Sequence, residues 1–173
     1  ARDAAGNTNT SAGITVNVSN GGGGGGGGGG CFSFGTLVAT PSGPQSIGTL
    51  RVGDAVYAYD ESTRETVESQ VTRVFVHTDR SYGVVTLSDG TNLEVTSVHR
   101  FYNPLTKQFV PIGEMQVGDS VLKGIGPDAH PVVIRSMEFE SGLGTVYNIE
   151  VNRYNTYYVD GVLVHNAKTP TGP

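Results

Sequence analysis

Ile47-Gly48-Thr49-Leu50-Arg51-Val52-Gly53-Asp54-Ala55-Val56 occurs twice in this chain, returning 65 residues later as Ile112-Gly113-Glu114-Met115-Gln116-Val117-Gly118-Asp119-Ser120-Val121, with six identities in ten positions. Two copies suit a duplicated unit folded into one core better than a solenoid or a propeller, which stack more repeats. In each copy Val-Gly-Asp reads as a structural turn that feeds a strand. A weaker match, at an offset of 56, sets Leu93 to Tyr102 against Ile149 to Tyr158. The chain therefore reads as two pseudo-equivalent halves.

Around the repeats the composition is rich in Val, Ile, Thr and Tyr. It is punctuated by Pro41-Ser42-Gly43-Pro44, Ser88-Asp89-Gly90 and Asn103-Pro104, and alternation is clear in 55–59, 71–76 and 92–96. No window holds a sustained 3.6-residue period, so the fold class is all-β with little or no helix. A length of 173 residues, 36% of them hydrophobic, suits one domain with a self-sufficient core.

Upstream, residues 1–20 are small and polar apart from the alternating Ile14-Thr15-Val16-Asn17-Val18, and ten consecutive glycines run from Gly21 to Gly30. Glycine has the most backbone freedom to lose and no side chain to bury, so the tract predicts a flexible linker. The expected layout is an N-terminal flank (1–30), a folded domain (31–166) and a patternless C-terminal flank (167–173). The sequence begins with Ala and shows no signal-peptide pattern, and it is read as part of a longer precursor whose compartment it does not reveal.

A net charge of −5 with scattered basic residues excludes an electrostatic footprint for nucleic acid, and no apolar run approaches the ~20 residues of a membrane helix. The single cysteine cannot form an internal disulfide, and one Cys with four dispersed His offers no metal-ligand spacing. The expectations are no cofactor, no metal and a monomer.

Three features can carry chemistry. Cys31 stands where the Gly tract meets the fold; it is either a small buried hydrophobe or a nucleophile toward the Gly30 carbonyl just before it. Attack there converts the Gly30–Cys31 amide to a thioester and needs a proton delivered to the amide nitrogen. Thr96-Ser97-Val98-His99 supplies an imidazole as acid and a hydroxyl to orient the amide, although Thr-x-x-His is a common string. Val162-Leu163-Val164-His165-Asn166 ends in a residue whose side-chain amide can attack its own carbonyl, cutting Asn166–Ala167 with His165 as donor; the bland alternative is a strand ending in a turn-favouring Asn. His77, read as a strand end, and His130, read as a loop residue, are given no role.

Cys31-Phe32-Ser33-Phe34-Gly35-Thr36, Thr96-x-x-His99 and the closing Tyr157 to Asn166 together resemble the splicing blocks of the Hedgehog/intein (Hint) superfamily over residues 31–166. The Cys-Phe start and His-Asn-Ala ending are most similar to bacterial-intein-like domains and to Hint domains that process secreted toxins. The resemblance implies a horseshoe-shaped all-β fold of two pseudo-symmetric halves and a single-turnover reaction on the chain's own flanks. Thioester formation at Gly30–Cys31 would be resolved by water or by an external amine or thiol, and Asn166 would cyclise. A secreted or cell-surface precursor fits the toxin-processing relatives. An intein carries Cys, Ser or Thr where this chain has Ala167, so cleavage is expected over splicing. Asn148 stands where inteins commonly place Asp and Asn155 where they place His, which implies thinner acid–base support at these two positions. The rivals are a cysteine hydrolase acting in trans through Cys31 and His99, and a non-catalytic β interaction module.

Overall fold

The computed structural model of the chain describes residues 16–18 and 30–166. The linker expected at 21–29, and Ala167 with the C-terminal flank, lie outside the described residues. The strands are β1 (Val16–Val18), β2 (Phe32–Ser33), β3 (Leu37–Val38), β4 (Gln45–Ser46), β5 (Ala55–Asp60), β6 (Glu65–Leu87), β7 (Asn92–Val95), β8 (Arg100–Asn103), β9 (Gln108–Pro111), β10 (Ser120–Lys123), β11 (His130–Val151), β12 (Thr156–Val159) and β13 (Val162–His165). Among the described residues, helix is confined to 3₁₀ turns at Ile47–Thr49, Ile112–Glu114 and Gly126–Asp128. The fold is all-β, as the sequence indicates.

The spine is the antiparallel pair β6 and β11, which are 23 and 22 residues long and run from Ile134↔Leu87 to Val151↔Val71 with four register shifts. Bulges bend a strand and increase its twist, so one strand can serve two sheets: β6 pairs with β5 over Glu65–Gln70 and with β7 over Gly83–Thr86. The length corrects two expectations. His77 lies inside β6 rather than at a strand end, and His130 opens β11 rather than sitting in a loop.

Both copies of the sequence repeat fold into the same turn. The Asp54 carboxylate accepts the Arg51 N–H at 2.8 Å, and the Asp119 carboxylate accepts the Gln116 N–H at 2.8 Å. Gly53 and Gly118 have φ of 97° and 100°, which is why each is glycine. Their N–H groups donate to Val71 (2.8 Å) and Ile134 (2.9 Å), tying each turn to one long strand. Ile47 and Ile112, first in each copy, are fully buried; truncating such a residue to Ala costs about 2–5 kcal/mol.

Two placements matter for function. Strand β2 lies between β7 and β11, through Phe32↔Val95 and Phe32↔Tyr147, so Cys31 enters the middle of a sheet. Strand β13 pairs with β12, β8 and β10, so Asn166 leaves the middle of another. Residues Val162 to Val164 are all buried, consistent with an unbroken apolar run in a covered strand. The β12–β13 hairpin turns on Asp160-Gly161, both at positive φ (46° and 82°), the combination a type I′ turn requires.

Candidate active site

At the N-terminal junction Cys31 and Thr96 bond reciprocally: the Cys31 N–H donates to Thr96 Oγ1 at 2.8 Å, and the Thr96 N–H donates to the Cys31 carbonyl at 3.0 Å. The nitrogen of the Gly30–Cys31 peptide is thus held by the threonine hydroxyl. Cys31 is only 3% exposed, and burial pushes its thiol up to about 12, with Arg80 pulling weakly the other way.

His99 is completely buried, its ring 4.3 Å from that of Phe32 and edge-on to Phe101 and Tyr157. Neither ring nitrogen meets a hydrogen-bond partner in good geometry, although the Gly30 backbone is close enough to favour the protonated ring. Burial outweighs that help and lowers the imidazole to about 3. Burial thus holds His99 toward its neutral form, in which the imidazole is both a hydrogen-bond donor and an acceptor. Burial raises the thiol and lowers the imidazole, so the two do not rest as an ion pair. The site also fixes residue 30. A Cβ there would overlap the backbone of His99, so only glycine fits.

The C-terminal junction is built differently. Asn166 is 5% exposed, and its side chain is fully engaged: Nδ2 donates to the Ile149 carbonyl and Oδ1 accepts from Asn148 Nδ2, each at 2.8 Å. Asn148 Oδ1 takes the Tyr157 hydroxyl at 2.6 Å and the Ile149 N–H at 2.8 Å. With two donors on its oxygen, Asn148 has only its NH₂ group left for Asn166, and the orientation of both amides follows. Asn155 meets Asn166 through its backbone, its carbonyl accepting the Asn166 N–H at 2.8 Å. It holds φ 57°, a conformation asparagine tolerates, and this accounts for the residue type by a turn rather than by proton transfer. Burial and then Arg100 lower His165; its ring packs on Phe109, and Nε2 is 4.0 Å from Glu61 Oε1.

The two junctions share walls. Phe32 and Tyr147 are paired across β2 and β11, and Asn148 and Ile149, which hold Asn166, follow directly on β11. Tyr157 packs against Phe32 and His99 while its hydroxyl reaches Asn148. Cys31, Thr96 and His99 thus form one cluster and Asn148, Asn155 and Asn166 another, with His165 beside the second; Ala167 lies outside the described residues. The sequence reading missed Tyr157 and the Ile149 carbonyl. A signal for Tyr157 was present, since the 56-residue repeat aligns it with Phe101, a buried aromatic position that gains a hydroxyl only in the second half.

A family profile described as the pretoxin HINT domain matches residues 37–167. No curated protein matches. Among solved structures, a bacterial intein-like domain from Clostridium thermocellum is 31% identical, with a TM-score of 0.69 over 79% of this chain and 98% of that one. The Ssp DnaB mini-intein variant M86 superposes with a TM-score of 0.76 at 17% identity, covering 83% and 98% of the two chains. The gp41-1 intein does so at 0.65 and 23%, covering 80% and 100%.

Proposed function

We propose, from the premise that the chain belongs to the pretoxin HINT domain family, that this Hint domain cuts its own backbone on both sides in a single turnover, as a cleaver more than a splicer. The domain comprises residues 31–166 and its substrates are its own flanking polypeptides. At the N-terminal junction Cys31 Sγ attacks the Gly30 carbonyl carbon, the carbon–nitrogen bond breaks, and the new Cys31 amine takes up a proton. Water, or an external amine or thiol, then displaces residues 1–30 from the thioester. Thr96 Oγ1 orients the scissile N–H, and neutral His99 stands against Gly30 to bond the developing tetrahedral centre.

At the C-terminal junction Asn166 Nδ2 attacks the Asn166 carbonyl carbon, closing a succinimide and releasing Ala167 as a free amine. The Asn148 N–H on Asn166 Oδ1 stabilises charge on that oxygen as Nδ2 gives up its proton, which makes the nitrogen a better nucleophile. Tyr157 and Ile149 keep Asn148 in that orientation. His165 assists the departing amine.

The observation that carries this reading is that Cys31 and Asn166, the two ends of the domain, are buried and bonded into its core, where domain ends ordinarily fray. The enclosure of Cys31, which is 3% exposed, also argues against a hydrolase acting in trans. Mass spectrometry of freshly made chain, with and without dithiothreitol, tests the proposal. Cys31→Ala should abolish cutting after Gly30 and leave cutting after Asn166, and Asn166→Ala should do the reverse. Persistence of the intact mass in the unmutated chain would overturn it.

A further inference from the structure

Strand β1 is not part of the domain that carries the chemistry; it comes from the N-terminal flank and pairs in parallel with β6 through Val16↔Val74, Asn17↔Phe75 and Val18↔Val76. The pairing falls at a defined gap. One edge of β6 is covered by β5 up to Gln70 and by β7 from Gly83 onward, and between those limits its described partner on that side is β1. On the other side β11 pairs with the same residues, through Ile149↔Val74, Asn148↔Phe75 and Tyr147↔Val76. An uncovered edge of this kind presents a row of unmatched N–H and C=O groups, a template for an added strand.

The register links this edge to the scissile bond. Val18, Val76, Tyr147 and Phe32 form one row across β1, β6, β11 and β2, so Val18 and Phe32 are three strand spacings apart, roughly 14 Å. Strands β1 and β2 point the same way, because β6 and β2 are each antiparallel to β11. Joining parallel strands takes a crossover of about a dozen residues. Residues 19–30 number twelve, ten of them glycine. A Gly-rich chain spanning Val18 to Phe32 has an r.m.s. reach of roughly 20 Å, close to the distance required, which is where a tether raises effective concentration most.

We propose that the β6 edge at Val74–Val76 is a docking site for the substrate flank, which adds the strand Val16–Val18 to the sheet and so holds the Gly30–Cys31 junction against the domain until it is cut. The recognised chemistry is an extended segment of alternating β-branched residues about a dozen residues upstream of the scissile glycine. A three-residue strand binds weakly on its own and is held by the tether, so cutting the junction lets the flank leave. That last step rests on the self-cleavage proposed above.

Amide hydrogen exchange by NMR on the full chain carrying Cys31→Ala and Asn166→Ala, which cannot cut itself, tests docking separately from cleavage. Adding Val16→Pro and Asn17→Pro, which removes the ladder donor from whichever of the two adjacent residues faces β6 and leaves the domain untouched, should speed exchange of the outward-facing amides within Val74–Val76 about tenfold or more. Amides bonded to β11 should be unaffected. Unchanged exchange at Val74–Val76 would overturn the docking site. In the unmutated chain, fragment 1–30 should separate from the domain on gel filtration once cut; a fragment that stays bound would overturn release while leaving docking to the exchange result.

Discussion

The two ends of the domain hold their reactive groups by opposite means. At the N-terminal junction the His99 imidazole is packed among aromatic rings with neither ring nitrogen bonded, and burial drives that imidazole down and the Cys31 thiol up. At the C-terminal junction every polar atom of the Asn166 side chain is bonded, and the network runs back through Asn148 to Tyr157. An unsatisfied buried group is destabilised in the resting state and gains from any change that solvates or pairs it, whereas a satisfied network is stable until its members rearrange. On the chemistry proposed above, the N-terminal junction stores its reactivity as desolvation, and the C-terminal one restrains Asn166 by geometry.

The largest effect expected from this contrast is on stability against pH. His99 titrates near 6.5 when unfolded and at about 3 when folded, so between those values the unfolded chain binds the extra proton. The His99 contribution is intact above about pH 6.5, falls as pH drops through that window, and is fully lost below about 3, by up to roughly 4–5 kcal/mol. Urea unfolding of the Cys31→Ala chain should show midpoints falling from pH 7 to 4, with His99→Gln flattening the slope. His165 is shifted in the same direction but is partly exposed, so His165→Gln should flatten it less. Equal flattening by both would mean that the two junctions are desolvated alike.

Next comes Gly30→Ala. The added methyl would meet the His99 backbone, which cannot give way as a side-chain tip can. Cutting after Gly30 should slow by at least about tenfold, or 1.4 kcal/mol, while cutting after Asn166 keeps its rate. If both rates fell together in time courses resolved by mass, the junctions would be one coupled unit and the contrast would collapse.

Tyr157→Phe aims at the other side. It removes one of two donors on Asn148 Oδ1, leaving the Ile149 N–H to hold the amide orientation alone. A neutral hydrogen bond contributes about 0.5–1.5 kcal/mol, so Asn166 cleavage should slow about three- to tenfold, with cutting after Gly30 changed less. The Phe101 position in the first half shows that a phenyl ring fits this kind of site, which limits the packing loss.

How far the sequence could foresee all this depends on what each feature requires. The duplicated turns were legible because Gly53 and Gly118 must take positive φ and Asp54 and Asp119 must cap, and those demands are local. Thr96 was legible as a partner of the Cys31 amide for the same reason that its motif is compact. The charge state of His99 was not, since burial is a property of the assembled core. Residue 148 read as a position of thinner acid–base support by resemblance to inteins, and its hydrogen bonds tie it to Asn166. Asn155 read as a lost proton donor and turned out to contribute a backbone carbonyl from a left-handed turn. The long strands escaped notice because bulges carry β6 and β11 past points where turn residues suggested an end.

The smallest effect expected belongs to Glu61, whose carboxylate approaches His165. Its oxygen is 4.0 Å from Nε2 and its side chain is 57% exposed, so screening leaves such a pair little strength. Burial also keeps the His165 ring toward its neutral form, and a neutral ring gains almost nothing from a carboxylate at that distance. Glu61→Gln should therefore change Asn166 cleavage less than about twofold between pH 6 and 8. A tenfold drop would mean that His165 passes through an imidazolium sustained by Glu61. The C-terminal junction would then be driven by charge as well as by the amide network, and the difference between the ends would lie in solvent exposure alone.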